Sequence, residues 1–146
     1  MKTYKDLRVW QYGYELCLHL HRETRSFPAD ERFELARDLR RTSRSIIYNI
    51  GESSGRDTPG EQLNQLSIAA GSASELEIQV MLSKDLGYLP PERAARYLGR
   101  IADIRRMLHG MIEAARRDKR TQSRTRKPEA GRRTPKKKGA TAPGAS

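Results

Sequence analysis

Residues 58–91 read TPGEQLNQLSIAAGSASELEIQVMLSKDLGYLPP and contain a whole helix with its start and stop signals. The opening Thr58-Pro59-Gly60-Glu61 has the pattern of a capping box with proline in the first helical turn. The closing Pro90-Pro91 suits the start of the next helix. Between them, apolar residues recur at steps of three and four: Leu63, Leu66, Ala70, Ala73, Leu76 and Val80. This spacing predicts an amphipathic helix over residues 59–86.

The remainder of the chain up to about residue 117 shows the same apolar period. It predicts three further helices, over residues 5–25, 29–54 and 91–117. No segment alternates with the period of two that indicates a strand. Because the loops between helices are short, the expected fold is all-α, an antiparallel up-down-up-down four-helix bundle over residues 1–117.

The buried face of the first helix is expected to be an arc of large residues. They are Leu7, Trp10, Tyr14, Cys17 and Leu20, with Val9 and Leu16 at the edge of the arc. Trp10 is therefore expected to be substantially buried.

The basic residues are concentrated at the carboxyl end. The chain has a net charge of +11, and residues 118–146 contribute +8 of it, from ten Lys and Arg against two acids. This segment contains prolines and glycines but no Leu, Ile, Val, Met or aromatic residue. We expect residues 118–146 to be a disordered basic tail, since they offer little apolar area to bury.

The tail is interpreted either as an electrostatic arm on nucleic acid or as a solubilising segment. On the first interpretation its contact residues are Lys119, Arg120, Arg124, Arg126, Lys136, Lys137 and Lys138.

Composition narrows the class of protein further. No apolar run approaches the ~18 residues of a membrane span, and the amino terminus has no signal-peptide pattern. Cys17 is the only cysteine, so an internal disulfide framework is excluded. We expect a cytoplasmic protein that does not bind membranes.

No pattern of residues indicates catalysis. The sequence contains no phosphate-binding glycine loop, no nucleophile elbow and no zinc-protease motif. Glu15, His19 and Glu23 are spaced four residues apart and form at best a partial metal site, and a solvated charged face explains them better. We expect no enzyme activity, no metal and no cofactor.

An arginine stripe, defined as Arg37, Arg40, Arg41 and Arg44, falls within a narrow arc of the second helix. Guanidinium groups on one helix face suit bidentate contacts to phosphates. The alternative is a solvated face that Glu34 and Asp38 partly neutralise. The clustering of like charges favours the binding interpretation slightly, because such charges oppose the helix.

The third helix has a second apolar stripe, defined as Ile68, Gly71, Ile78 and Leu82, opposite its core arc. A four-helix monomer buries only one side of each helix, so the stripe predicts contact with another subunit. Scattered surface residues are the alternative. On the inner faces, Glu77, Asn49, Glu52 and Arg40 are expected to form a polar network.

Several short motifs in a fixed order point to a known family. They are Asp6-Leu7-Arg8-Val9-Trp10-Gln11, Ser26-Phe27-Pro28, Leu39-Arg40-Arg41, Asn49-Ile50, Glu75-Leu76-Glu77 and Leu86-Gly87-Tyr88-Leu89. From about Tyr4 to Arg117 the chain resembles the four-helix-bundle family encoded by intervening sequences in bacterial large-subunit ribosomal RNA genes. That family is related to the accessory variability determinant of diversity-generating retroelements, which works with a reverse transcriptase and binds nucleic acid.

The resemblance implies an antiparallel bundle that assembles as a ring, commonly a pentamer, without enzymatic activity. We therefore expect a homo-oligomer that binds RNA, DNA or a nucleic-acid-associated protein through a basic surface. The alternative is a protein-interaction scaffold, such as an accessory factor of a reverse transcriptase.

Overall fold

The fold is a bundle of helices in the computed structural model, which describes residues 2–126 and Gly144. Within the described residues there are four α-helices and no strand: α1 (Arg8–Glu23), α2 (Leu35–Ser54), α3 (Pro59–Asp85) and α4 (Pro91–Arg126). α2 packs against α1 and α3, α3 packs against α4, and α1 contacts α4, so each helix has two neighbours. The all-α up-down bundle predicted from the sequence is confirmed.

The connection between α1 and α2 takes more of the chain than predicted. Two short 3-10 turns, Thr24–Ser26 and Ala29–Glu31, lie on either side of an extended Phe27 with ψ 153°. Pro28 disfavours helical backbone at the residue before it, which explains this conformation. α2 accordingly begins at Leu35 rather than at residue 29.

The end of α4 corrects the prediction of a disordered tail from residue 118, since the helix continues to Arg126. Residues 118–126 are mostly exposed but contain no proline, and Lys, Arg and Gln are good helix formers. Lack of apolar residues removes packing, but it does not remove helix propensity. The remainder of the predicted tail lies outside the described residues.

The core is formed by aliphatic side chains from all four helices. Those less than 2% exposed include Leu20, Leu39, Ile46, Ile50, Leu76, Val80, Ile101, Ile104 and Leu108. No helix within the described residues combines the length and apolarity needed to cross a bilayer.

The buried face of α1 differs from the predicted arc. Val9 and Leu16, placed at its edge, are each 3% exposed, whereas Tyr14 is 45% exposed. Trp10 is only partly buried, with its ring stacked on Tyr14 at a centroid distance of 4.9 Å.

Gly13 gives the physical reason for this rotation of α1. A Cβ atom added there would lie 2.9 Å from Cγ2 of Ile47. The closest approach of α1 to α2 is therefore centred on a residue that an arc of large side chains leaves out.

The predicted inner polar network is wrong, because each member has a separate partner. Arg105 on α4 pairs with Glu77, Arg56 pairs with Glu52, and the Asn49 amide donates to the Ser45 carbonyl. The polar contacts between α2 and α3 involve other residues. The Ser45 and Ser72 hydroxyls lie 2.8 Å apart, and the Gln79 amide donates to Thr42 at 3.0 Å.

Candidate nucleic-acid interface

The arginine stripe of α2 divides into exposed and anchored members. Arg37 and Arg41 are exposed, and Arg41 lies 3.9 Å from a carboxylate oxygen of Asp38. Arg44 is half-buried on the side facing α1, where its charge acts on the Cys17 thiol. Arg40 turns back toward the end of α1 and donates from Nε to Thr24 Oγ1 at 2.8 Å. The outward-facing cations of this helix are thus mainly Arg37 and Arg41.

A second basic surface, called the α4 arm, occupies the last turns of α4. Its exposed cations are Arg116, Arg117, Lys119, Arg120, Arg124 and Arg126. Two acids accompany them: Glu113, which accepts from Arg116 at 2.8 Å, and Asp118. The arm therefore presents an excess of positive charge on a helical backbone.

The α4 arm extends past the end of its neighbour. A Cβ atom added to Gly60, in the first turn of α3, would lie 3.8 Å from Cε of Lys119. The residues of α4 that follow Lys119 therefore have no turn of α3 beside them and extend roughly 10 Å beyond it at 1.5 Å per residue. Lys119, Arg120, Arg124 and Arg126 all lie in the arm, whereas the predicted contacts Lys136, Lys137 and Lys138 lie outside the described residues.

The apolar stripe of α3 is exposed in the single chain. Ile68, Ile78 and Leu82 are 44%, 66% and 47% exposed, and nothing lies within 4 Å of a Cβ added at Gly71. Sequence reasoning missed Tyr48, which is 59% exposed and lies one turn after Arg44 on α2. Its signal is a large aromatic residue on an otherwise polar helix face.

The residues weighed as a partial metal site have other partners. Glu23 is 7% exposed in its side chain, accepts from Arg93 Nε at 2.6 Å, and accepts from the Tyr97 hydroxyl at 3.0 Å. His19 lies 4.0 Å from Glu15. Among the residues that the structure describes, no group of three or more potential ligands is arranged to hold a metal ion. Glu23 instead connects α1 to α4.

The Cys17 thiol has the surroundings of a core residue. It is buried, accepts from the Ser43 hydroxyl at 3.4 Å, and lies 3.6 Å from Nδ1 of His21. Burial raises its pKa, which leaves little thiolate at neutral pH and opposes a role as nucleophile.

The contact of Tyr97 with Glu23 gives a pH prediction. Burial, the hydrogen bond to Glu23 and its negative charge raise the pKa of Tyr97 to about 12. The folded protein then holds this proton where the unfolded chain releases it, so stability falls as the pH rises from 10 toward 12. Tyr97→Phe is expected to lose this part of the decline. Denaturant unfolding of both chains across that range measures it, and parallel declines would contradict the assignment.

The comparisons with known proteins agree with this architecture. A family model described as 23S rRNA-intervening sequence protein matches residues 5–110. The comparison with curated proteins returns no match. Among solved structures, a protein of unknown function from the S23 ribosomal protein family of Bacteroides thetaiotaomicron matches with a TM-score of 0.67 at 21% identity. The match covers 72% of this chain and 95% of that one, and it shows a shared fold.

Proposed function

The chain belongs to the 23S rRNA-intervening sequence protein family, and from this premise we propose that it is a non-enzymatic, oligomeric bundle that binds RNA through a basic surface in the cytoplasm. The family description makes RNA the first polyanion to test. No catalytic step is part of the proposal, and the buried Cys17 with its raised pKa agrees with this.

The observation that carries the proposal is the α4 arm. Its six cations are exposed on a helix, so their spacing is held by the backbone before any ligand arrives. Only Glu113 and Asp118 lie among them. Phosphates that bind such a surface release condensed counterions, which makes the affinity depend steeply on salt.

The α2 stripe supplies a second contact in this proposal. Arg37 and Arg41 are exposed, and a guanidinium can fork onto a phosphate. Arg40 contributes less here, since its Nε is already bonded to Thr24.

Oligomerisation follows from the apolar stripe of α3, to which we assign a second copy of the chain as occupant. Ile78, at 66% exposure, is the most exposed member of a stripe that is regular over several turns. The exposed Gly71 allows a partner helix to approach closely. The resemblance favours a pentamer. A ring repeats the basic surfaces around its axis, so weak single contacts combine by avidity.

Removing charge from the α4 arm tests RNA binding. We expect Arg120→Gln with Arg124→Gln to flatten the plot of log affinity against log salt by about 1.4 for single-stranded RNA, because two phosphate contacts are lost. Arg22→Gln with Arg106→Gln removes the same charge from exposed positions elsewhere and serves as the control. Fluorescence anisotropy of labelled RNA gives both slopes. Equal slopes for the two double variants would remove the α4 arm from the interface.

A protein-interaction scaffold, such as a reverse-transcriptase accessory factor, is the second candidate. Exposure of Tyr48 beside the apolar stripe favours it, because protein interfaces are enriched in tyrosine. A partner bound mainly through apolar contacts would resist salt, whereas an RNA would dissociate.

A further inference from the structure

A cleft at the turn between α1 and α2 presents guanidinium groups and no carboxylate. It has a volume of about 310 Å³. Its wall contains Arg25, Arg32 and Arg40 together with the Thr24 hydroxyl, and the rest is apolar around Phe27 and Pro28. Three positive charges around an opening of this size fit a small anionic group.

Arg40 is held in place before any ligand binds. Its Nε donates to Thr24 Oγ1 at 2.8 Å, and that hydroxyl donates in turn to the Leu20 carbonyl at 2.8 Å. Thr24 is 4% exposed, so the anchor is protected from water. Nη2 lies 3.5 Å from the His21 carbonyl, while Nη1 has no acceptor within residues 2–126. A fixed guanidinium with a free donor loses little entropy when it binds an anion.

The carboxylates of the same turn do not line the cleft. Glu31 is already engaged, since its two oxygens accept from the Tyr88 hydroxyl at 3.1 Å and from the Leu35 amide at 3.2 Å. Asp30 and Glu34 are exposed to solvent.

The groove between α1 and α4 provides the contrast. It is smaller, at about 250 Å³, and is also lined by three arginines, Arg93, Arg96 and Arg100. However, Glu15 lines the same groove, and Glu23 holds Arg93 through two hydrogen bonds. An anion there competes with fixed carboxylates, whereas an anion in the cleft at the turn does not.

We propose that the cleft formed by Arg25, Arg32 and Arg40 binds a phosphate group of the RNA. The inference rests on the proposed function and names where one phosphate is held. Arg40 belongs to both the cleft and the stripe of α2, so a strand lying along Arg37 and Arg41 reaches the cleft at the amino-terminal end of that helix. The phosphate is either the 5′ end of the strand or an internal group, and the two differ in charge.

Inorganic phosphate gives the first test, because it needs no RNA. NMR of the arginine Nε–Hε groups of the full chain is expected to show a saturable shift at Arg40 with phosphate and none with chloride at matched ionic strength. Arg25→Gln with Arg32→Gln removes two exposed cations that have no ion pair within the described residues, so the fold is kept. The shift is expected to disappear in this double variant and to persist in Arg22→Gln. A shift that chloride reproduces, or that the double variant retains, overturns the proposal.

A pair of RNAs gives the second test. Single-stranded RNA with a 5′-phosphate and the same RNA with a 5′-hydroxyl are compared by anisotropy. A preference of roughly tenfold for the phosphorylated RNA, lost in the Arg25/Arg32 double variant, assigns the cleft to the strand end, since one charge-assisted contact supplies about that factor. Equal weakening of both RNAs in that variant, and not in Arg22→Gln, assigns it to an internal phosphate.

Two further outcomes separate this inference from the proposed function. If the full chain binds neither RNA while inorganic phosphate still shifts Arg40, the RNA function is contradicted and the phosphate site is retained. If both RNAs bind the Arg25/Arg32 double variant and the Arg22→Gln chain equally well, the RNA is held elsewhere and the cleft is not its phosphate site.

Discussion

The Ile78→Glu chain is expected to sediment as a monomer under conditions in which the unsubstituted chain sediments as an oligomer. Ile78 is 66% exposed and lies near the middle of the apolar stripe of α3. A carboxylate placed there is solvated in the single chain, so the helix stays folded. In an interface between copies it is buried without a partner, which costs several kcal/mol.

Sedimentation velocity at tens of micromolar protein measures this effect. Leu18→Glu is the matched control, because Leu18 is an exposed aliphatic residue on α1, away from the stripe, at 42% exposure. We expect that variant to keep the mass of the unsubstituted chain. A monomeric unsubstituted chain, or an oligomer that Ile78→Glu leaves intact, would remove the stripe from the assembly.

Leu76→Ala is expected to lower the free energy of unfolding by roughly 2–5 kcal/mol, a large share of the stability of a small domain. Leu76 is 0% exposed on α3, the helix that packs against both α2 and α4. Truncating it removes buried methyl groups and leaves a cavity that the surrounding helices fill only in part.

Chemical denaturation tests this prediction most cleanly in the Ile78→Glu background, where assembly does not add to the measured stability. Ile68→Ala on the same helix is the control, since Ile68 is 44% exposed. It is expected to cost less than about 1 kcal/mol. A similar small cost for Leu76→Ala would place that side chain outside the core.

The parts of the fold that local chemistry determines were predictable from the sequence. The Thr58 hydroxyl accepts from the Glu61 amide at 3.2 Å, and α3 begins at Pro59 as the capping pattern indicates. Alternation of apolar and polar positions identified the core of α3 and α4, since a helix fixes which residues share a face.

The parts that depend on contacts between helices were not predictable in the same way. The rotation of α1 follows from the fit of Gly13 against Ile47, which no single-helix pattern contains. Continuation of α4 to Arg126 was missed because an exposed helix needs no apolar face when its residues favour helix.

The candidate site divides along the same line. The apolar stripe of α3 was predicted because its members share one helix. The cleft was not predicted, because the turn brings Arg25 and Arg32 together with Arg40 from α2. The buried Thr24 hydroxyl that orients Arg40 gives no signal in sequence, since its role depends on the structure around it.

The salt dependence of RNA affinity is the measurement that tests the central claim most directly. Anisotropy of a labelled single-stranded RNA is recorded with the full chain from about 50 to 200 mM salt. The proposed function predicts binding at the low end and a steep linear fall of log affinity with log salt, with a slope near −3 for roughly four phosphates contacted. No binding at about 50 mM salt, or an affinity that does not change across this range, would contradict the claim that a basic surface of this bundle binds RNA.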